Sequence, residues 1–259
     1  MVRAKLMSKN TADDIPDIET IRRDIDRVDN ALLDLIAERL ELSGQVRRAK
    51  GGMRVWRPSR EDSHVRQLAL KAEATQASLV STIWAELMSA SLAAQGPMRL
   101  HVALEGDALS NWSLVRDRFG AALDVLTYPT TSAALAACYS EDEGVAVLPA
   151  PAPPPGGMIN WWTALGPGGA MEGLHILAGL PRTGRRDWPQ AVAVADVVLT
   201  PSGADQTLLC ITDTDAAPDG AVLRAQSGIF RMYSLDGFHE MTPNATRRVI
   251  GCLPRPIGQ

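Results

Sequence analysis

Between Asp17 and Lys50 the chain runs about 34 residues without a proline and with a single glycine, Gly44. Apolar side chains recur at Ile18, Ile21, Ile25, Val28, Leu32 and Leu35, then at Leu42 and Val46. Steps of three and four over such a length specify one amphipathic helix with a coiled-coil-like seam. Asp17 is placed to cap its N-terminus, and Gly51-Gly52 ends it. A helix of that length spans ~50 Å, too long for a compact monomer, so its seam is expected to pack against a second chain.

Charges interrupt this seam. Arg39 stands where the next apolar residue should fall, and Lys50 lies four beyond Val46. Eleven residues apart at about 100° each, the two project within ~20° of one face. Their stems can snorkel along apolar surface with the heads in water. Two cations on one stripe, with no acidic residue of the helix sharing it, also suit a bound anion.

Two further helices are expected. One, opened by RPSRED with Pro58 in or before its first turn, covers about Ser59 to Thr75. The other covers 78–95, with Val80, Trp84, Leu87 and Met88 as its buried stripe, continued by the polar pair Ser91 and Gln95. The Gly96-Pro97 pair then stops the helix and marks a boundary. Residues 1–97 carry 15 Lys+Arg against 14 Asp+Glu, whereas the rest carries 11 against 16.

Residues 98–259 read as α/β. Strands are expected at MRLHVAL, LDVLTYP, EGVAVLPA, LHILAGL, AVAVADVVL, TLLCITD and GIFRMYSL. Helices are expected at LSNWSLVRDRFG, ending at Gly120, and at TTSAALAACYS, capped by Thr131 or Ser132. PAPAPPPGG is a surface loop or hinge, and Trp161-Trp162 behind it reads as buried core. Residues 1–16 are expected to form a disordered tail. They lack the apolar run of a secretory signal, and no stretch approaches the ~18 uninterrupted apolar residues of a membrane span. Three scattered cysteines, Cys138, Cys210 and Cys252, suit reduced thiols. A cytoplasmic location is the expectation. The net charge of −4 gives no reason to expect nucleic acid or an acidic membrane as partner. Neither the cysteines nor the four dispersed histidines show metal-ligand spacing, so no metal is expected.

The stretch IRRDIDRVDNALLDLIAERLELSGQVRRAK, then RPSRE, then SxxxQ at Ser91 to Gln95, resembles the all-helical chorismate mutases. The resemblance covers about residues 17–95 and implies an intertwined dimer of three-helix chains that converts chorismate to prephenate without a cofactor. By that resemblance Arg39 holds a substrate carboxylate, and Lys50 contacts a carboxylate and the breaking ether oxygen. Gln95 donates to the same oxygen, Glu61 accepts the substrate hydroxyl, and Arg60 and Ser91 bind substrate. Arg22 corresponds to the arginine that reaches into the partner's site. It lies 28 residues from Lys50, about 42 Å along a straight helix, so it cannot share one small molecule with it. The loop GGMRVW can be gapped in two ways. One keeps the Arg60-Glu61 pair, and the other puts His64 where the family carries an arginine.

These residue types suit the reaction. Chorismate is a dianion, and its pericyclic rearrangement requires no nucleophile, proton transfer or metal. An enzyme supplies the compact reactive conformer and stabilises charge growing on the ether oxygen. An isochorismate-pyruvate lyase on the same fold would use the same carboxylate clamps, and a non-catalytic regulatory subunit would keep only the helices. The second half loosely resembles the dehydratase-plus-regulatory portion of chorismate mutase–prephenate dehydratases. VALEGDALSNWSLVRDRFG resembles a first dehydratase lobe, and TLLCITDTDAAPDGAVLRA resembles an effector-binding domain that would take an aromatic amino acid. The Thr-Arg-Phe motif of the dehydratases is missing, so no dehydratase activity is expected. Because every assigned residue falls at or before Gln95, a chain ending near there is expected to dimerise and keep some mutase activity, with reduced solubility and a several-fold loss of rate.

Overall fold

A computed structural model describes residues 17–50, 55–72, 76–152 and 160–258, without the side chains of Arg47, Ala49 and Lys50. Three helices come first: α1 (Ile18–Lys50), α2 (Pro58–Lys71) and α3 (Ala77–Gln95). Asp17 caps α1 as expected, its Oδ1 accepting from the backbone N–H groups of Glu19 and Thr20 at 3.0 Å each. Pro58 occupies the first turn of α2, where its missing N–H is no loss.

The first two-thirds of α1 lies apart from the other elements. Ile18, Ile25, Leu32 and Leu35 are all more than half exposed in the single chain. The seam read from the sequence is therefore a continuous, uncovered apolar stripe. Only toward its C-terminal end does α1 meet α3, through Arg39 and Ser43.

Helix α3 corrects one expectation. Its fully buried face is Val80, Ser81, Ala85, Ser89 and Ser91, while Trp84, Leu87 and Met88 are only half-buried. Small residues are needed there because the C-terminus of α4 (Ala108–Phe119) presses against this face. Gly120, at φ +64°, ends α4, and a Cβ on it would fall 2.7 Å from the Ser89 Cβ and 2.8 Å from the Ala85 carbonyl oxygen. The Ser89 hydroxyl and the Glu86 carboxylate accept from the N–H groups of Ala122 and Ala121 that follow. Helix α3 holds a single charged residue, Glu86, and by length and mean hydropathy, 1.3, could cross a membrane, although Ser, Thr and Gln interrupt its apolar run. It packs instead against α1, α2 and α4.

Beyond Gly96-Pro97 the described residues form one mixed sheet. Its strands are β1 (Arg99–Val102), β2 (Asp124–Thr127), β3 (Gly144–Pro149), β4 (His175–Leu180), β5 (Ala191–Ala195), β6 (Asp205–Thr212), β7 (Val222–Ser227), β8 (Phe230–Asp236) and β9 (Arg247–Pro254). Their order is β2-β1-β3-β5-β4-β9-β6-β8-β7. The β2-β1-β3 trio is parallel, with α4 and α5 (Thr131–Ser140) as crossovers. From β6 to β7 the pairing is antiparallel. The cap of α5 is Thr130, one residue before the expected position, its hydroxyl accepting from Ala133 N–H. The edge strand β7, absent from the expectations, is half solvent-exposed and lacks a clean apolar alternation.

Alternation along the central strands sorts two cores. Ala146, Leu148, Val192 and Val194 face α5 and the buried Trp161 and Trp162. Val145, Val147, Ala191 and Ala193 face α4. This second core also takes in Trp56, from the segment before α2. Its ring is 2 % exposed and tilts on Phe119 at 5.5 Å between centroids. The two halves thus share a core across Gly96-Pro97. Cys138, Cys210 and Cys252 are buried and unbridged. Burial pushes the Cys210 thiol up to about 12.

Candidate active site

The three helices enclose an open cleft of about 1350 Å³, its mouth included. Helix α1 supplies Arg39, Ser43 and Val46, the approach to α2 supplies Val55 and Arg57, and α2 supplies Arg60, Glu61 and His64. Helix α3 supplies Met88, Ser91, Leu92 and Gln95. Five of the seven residues assigned from the sequence therefore line one cavity: Arg39, Arg60, Glu61, Ser91 and Gln95. Both gappings of the GGMRVW loop lead to this wall, because Arg60, Glu61 and His64 all line it.

Arg39 is the pivot. Its Nη1 donates to the Leu87 carbonyl at 3.1 Å and to the Ser91 hydroxyl at 2.9 Å. Ser91 donates in turn to Leu87 O at 2.7 Å, so its proton is already spent on the helix and its oxygen steadies the guanidinium. Ser43, one turn beyond Arg39, donates to the Arg39 carbonyl at 2.9 Å and lies 3.2 Å from the Ser91 hydroxyl. Partial burial lowers the Arg39 pKa, opposed by attraction to Glu61. From an ordinary value of 12.5 the group stays cationic at neutral pH. Burial, with Arg39, Arg60 and Lys71 nearby, holds His64 below its ordinary value and favours the neutral imidazole.

Glu61 is held from both halves of the chain. Its Oε2 accepts from the Trp56 indole N–H at 3.3 Å, and its Oε1 is paired tightly with Arg182, which follows β4. The neighbouring Asp62 faces away from the cleft and takes both Nη atoms of Arg118, from α4, at 2.9 and 2.7 Å. All four side chains of this cluster are largely sealed from water, with both arginines 1 % exposed. Arg118, Arg182, Trp56 and Ser43 escaped the sequence reading. Only Ser43 carried a local signal, sitting four residues after Arg39 on the same helix.

One assigned residue, Arg22, is not brought to this cleft. Arg22 is exposed near the start of α1, paired with Glu19 at 2.7 Å, and lies about 26 Å along the helix from Arg39. The Lys50 side chain falls outside the described residues.

No curated protein matches the chain. One solved structure, described as "GqqA- a novel type of quorum quenching acylases", is similar over 62% of this chain and 96% of that one, at 13% identity and a TM-score of 0.37. That likeness is too distant to bear on fold or activity. Residues 21–96, from the first turn of α1 to the end of α3, match the model of the family described as chorismate mutase type II.

Proposed function

We propose that the helical half is a chorismate mutase, an isomerase that converts chorismate to prephenate. The observation that carries this reading is the convergence of Arg39, Arg60, Glu61, Ser91 and Gln95, from three helices, on one cleft. The match of residues 21–96 to the chorismate mutase type II model supports it. Arg39 binds a substrate carboxylate with the guanidinium edge that its bonds to Leu87 and Ser91 leave over. Ser91 acts mainly by orienting Arg39, since its own proton is engaged. Glu61 accepts the ring hydroxyl, Arg60 and Lys50 add positive charge for the dianion, and Gln95 with Lys50 stabilises the ether oxygen as the bond breaks. The cleft needs no proton shuttle for this chemistry, in keeping with the neutral bias of His64.

The reading includes a homodimer in which Arg22 serves the partner's cleft. Its support is the uncovered stripe of α1, including Ile18, Ile25, Leu32 and Leu35, together with the distance of Arg22 from its own cleft.

The test is to incubate the full-length protein with chorismate and, separately, with isochorismate, and to identify the products. Prephenate is expected. Pyruvate from isochorismate, with chorismate untouched, would replace the mutase by a lyase, and no turnover of either would make the cleft a binding site only.

A further inference from the structure

We infer that Arg182 is a positioning residue for this cleft: from the sheet half, it fixes the Glu61 carboxylate at the cleft wall, so that the second half completes a site the three helices leave unfinished. The inference rests on the mutase reading of the cleft.

Two buried arginines meet two acids here, and they are used differently. Arg118 and Asp62 form a bidentate pair turned away from the cleft, and Arg118 reaches Glu61 only at 3.7 Å. Arg182 has no such partner. Its Nη2 contacts Glu61 and, at 3.3 Å, the Arg118 carbonyl, whereas Nε lies 3.5 Å from Asp62 and, like Nη1, makes no hydrogen bond. As a device for stability this is poor, because a desolvated guanidinium with donors unspent is destabilising, and an apolar side chain would fill the same space.

As a device for orienting one carboxylate it is well made. The Arg182 backbone is anchored, its N–H donating to the Asp117 carboxylate at 3.3 Å at the end of α4. Glu61 is gripped on one oxygen by Arg182 and on the other by the Trp56 indole, leaving lone pairs toward the cleft that it lines. A carboxylate meant to accept a single hydroxyl must be held in one rotamer, and the anchored cation supplies that restraint. Loss of Arg182 removes the closest counterion of Glu61, leaving the Trp56 indole and the longer Arg118 contact at 3.7 Å to hold it, and frees the carboxylate to turn.

A double-mutant cycle in the full-length protein separates this role from a merely structural one. Michaelis parameters for chorismate are measured for the wild type, Arg182→Met, Glu61→Gln and the double variant, with thermal unfolding as a folding control. Arg182→Met is expected to lower kcat/KM about tenfold, chiefly through KM, and to have no further effect once Glu61 is Gln. Arg182→Lys is expected to recover part of the loss. Wild-type kcat/KM in folded Arg182→Met overturns the inference, as does a loss that persists undiminished in the Glu61→Gln background. Should Arg182→Met fail to fold, Arg182→Lys read in both backgrounds gives the same comparison. An inactive wild type overturns the mutase reading itself and is told apart because no variant then has a parent rate to lose.

Discussion

Arg118 of α4 and Asp62 of α2 join end to end at 2.9 and 2.7 Å, 56 positions apart and on opposite sides of Gly96-Pro97. Both side chains are buried, so neither charge has water to fall back on. Replacing Asp62 by Ala leaves the Arg118 charge without its main partner. A loss of about 3–5 kcal/mol of folding stability is expected, read by chemical denaturation. A change within experimental error would mean that the pair is solvated in solution.

The same junction bears on truncation. A chain ending just after Pro97 keeps every residue assigned to chemistry but exposes Trp56 and strands Glu61 and Asp62 without Arg182 and Arg118. The several-fold loss of rate expected from the sequence is therefore a lower bound. The truncated chain should show at least a tenfold lower kcat/KM and a marked loss of stability. Full activity in it would show that the shared core is dispensable.

Arg39→Ala removes the one cation that α1 and α3 jointly hold in the cleft. Chorismate turnover should fall at least about a hundredfold while circular dichroism and oligomeric state stay unchanged, because electrostatics and positioning are the whole mechanism. Ser91→Ala should give a smaller loss, of the order of several-fold, through a less ordered guanidinium.

Subunit mixing tests the role of Arg22. Arg22→Ala and Arg39→Ala dimers, each inactive alone, should regain about a quarter of wild-type activity after exchange, since half of the random dimers carry one intact site. Exchange confirmed by mass without recovered activity would place Arg22 outside the reaction.

His101 sets a pH dependence of stability. Its ring is buried under the sheet edge, with Tyr128 at 2.9 Å on Nδ1 and Glu141 at 3.2 Å on Nε2. Burial holds its pKa below the ordinary 6.5 despite the pull of Glu141. Below pH 6.5 the unfolded chain binds a proton that the folded chain resists, so unfolding is favoured as pH falls toward the folded-state value. Above 6.5 the contribution is flat. Unfolding midpoints between pH 8 and 5 should therefore drop on acidification, and His101→Gln should flatten the slope.

Local signals were the legible ones. The 3.6-residue period of α1, the Asp17 cap and the Gly96-Pro97 stop depend on neighbours in sequence, and each lies where it was read. So do the apolar strands β3 to β6, whose side chains are buried along nearly their whole length. Strand β7 was missed because it sits at the sheet edge, where pairing with β8 does not demand an apolar pattern. In the cleft, Arg39 was visible as a cation interrupting an apolar seam. Arg182 was not, because nothing around Pro181 and Thr183 announces that its partner is a glutamate 121 positions earlier. The stripe on α3 was misplaced for a related reason: periodicity finds large apolar side chains, whereas close approach of α4 selects Ser89 and Ala85.

The core around Trp56 also bears on how the chain is made. Synthesis delivers α1, α2 and α3 first, yet Phe119, on which the indole packs, and the rest of the shared core, among it Leu100, Val145 and Leu177, emerge afterwards. Arg182, which holds Glu61, comes later still. The helical half leaves the ribosome with an uncovered tryptophan, two acids awaiting their cations and a bare apolar stripe on α1, and it must stay in that condition until most of the sheet has followed. Folding is thus committed late, and a chain interrupted near position 150 would be a poorer folder than its intact helices suggest.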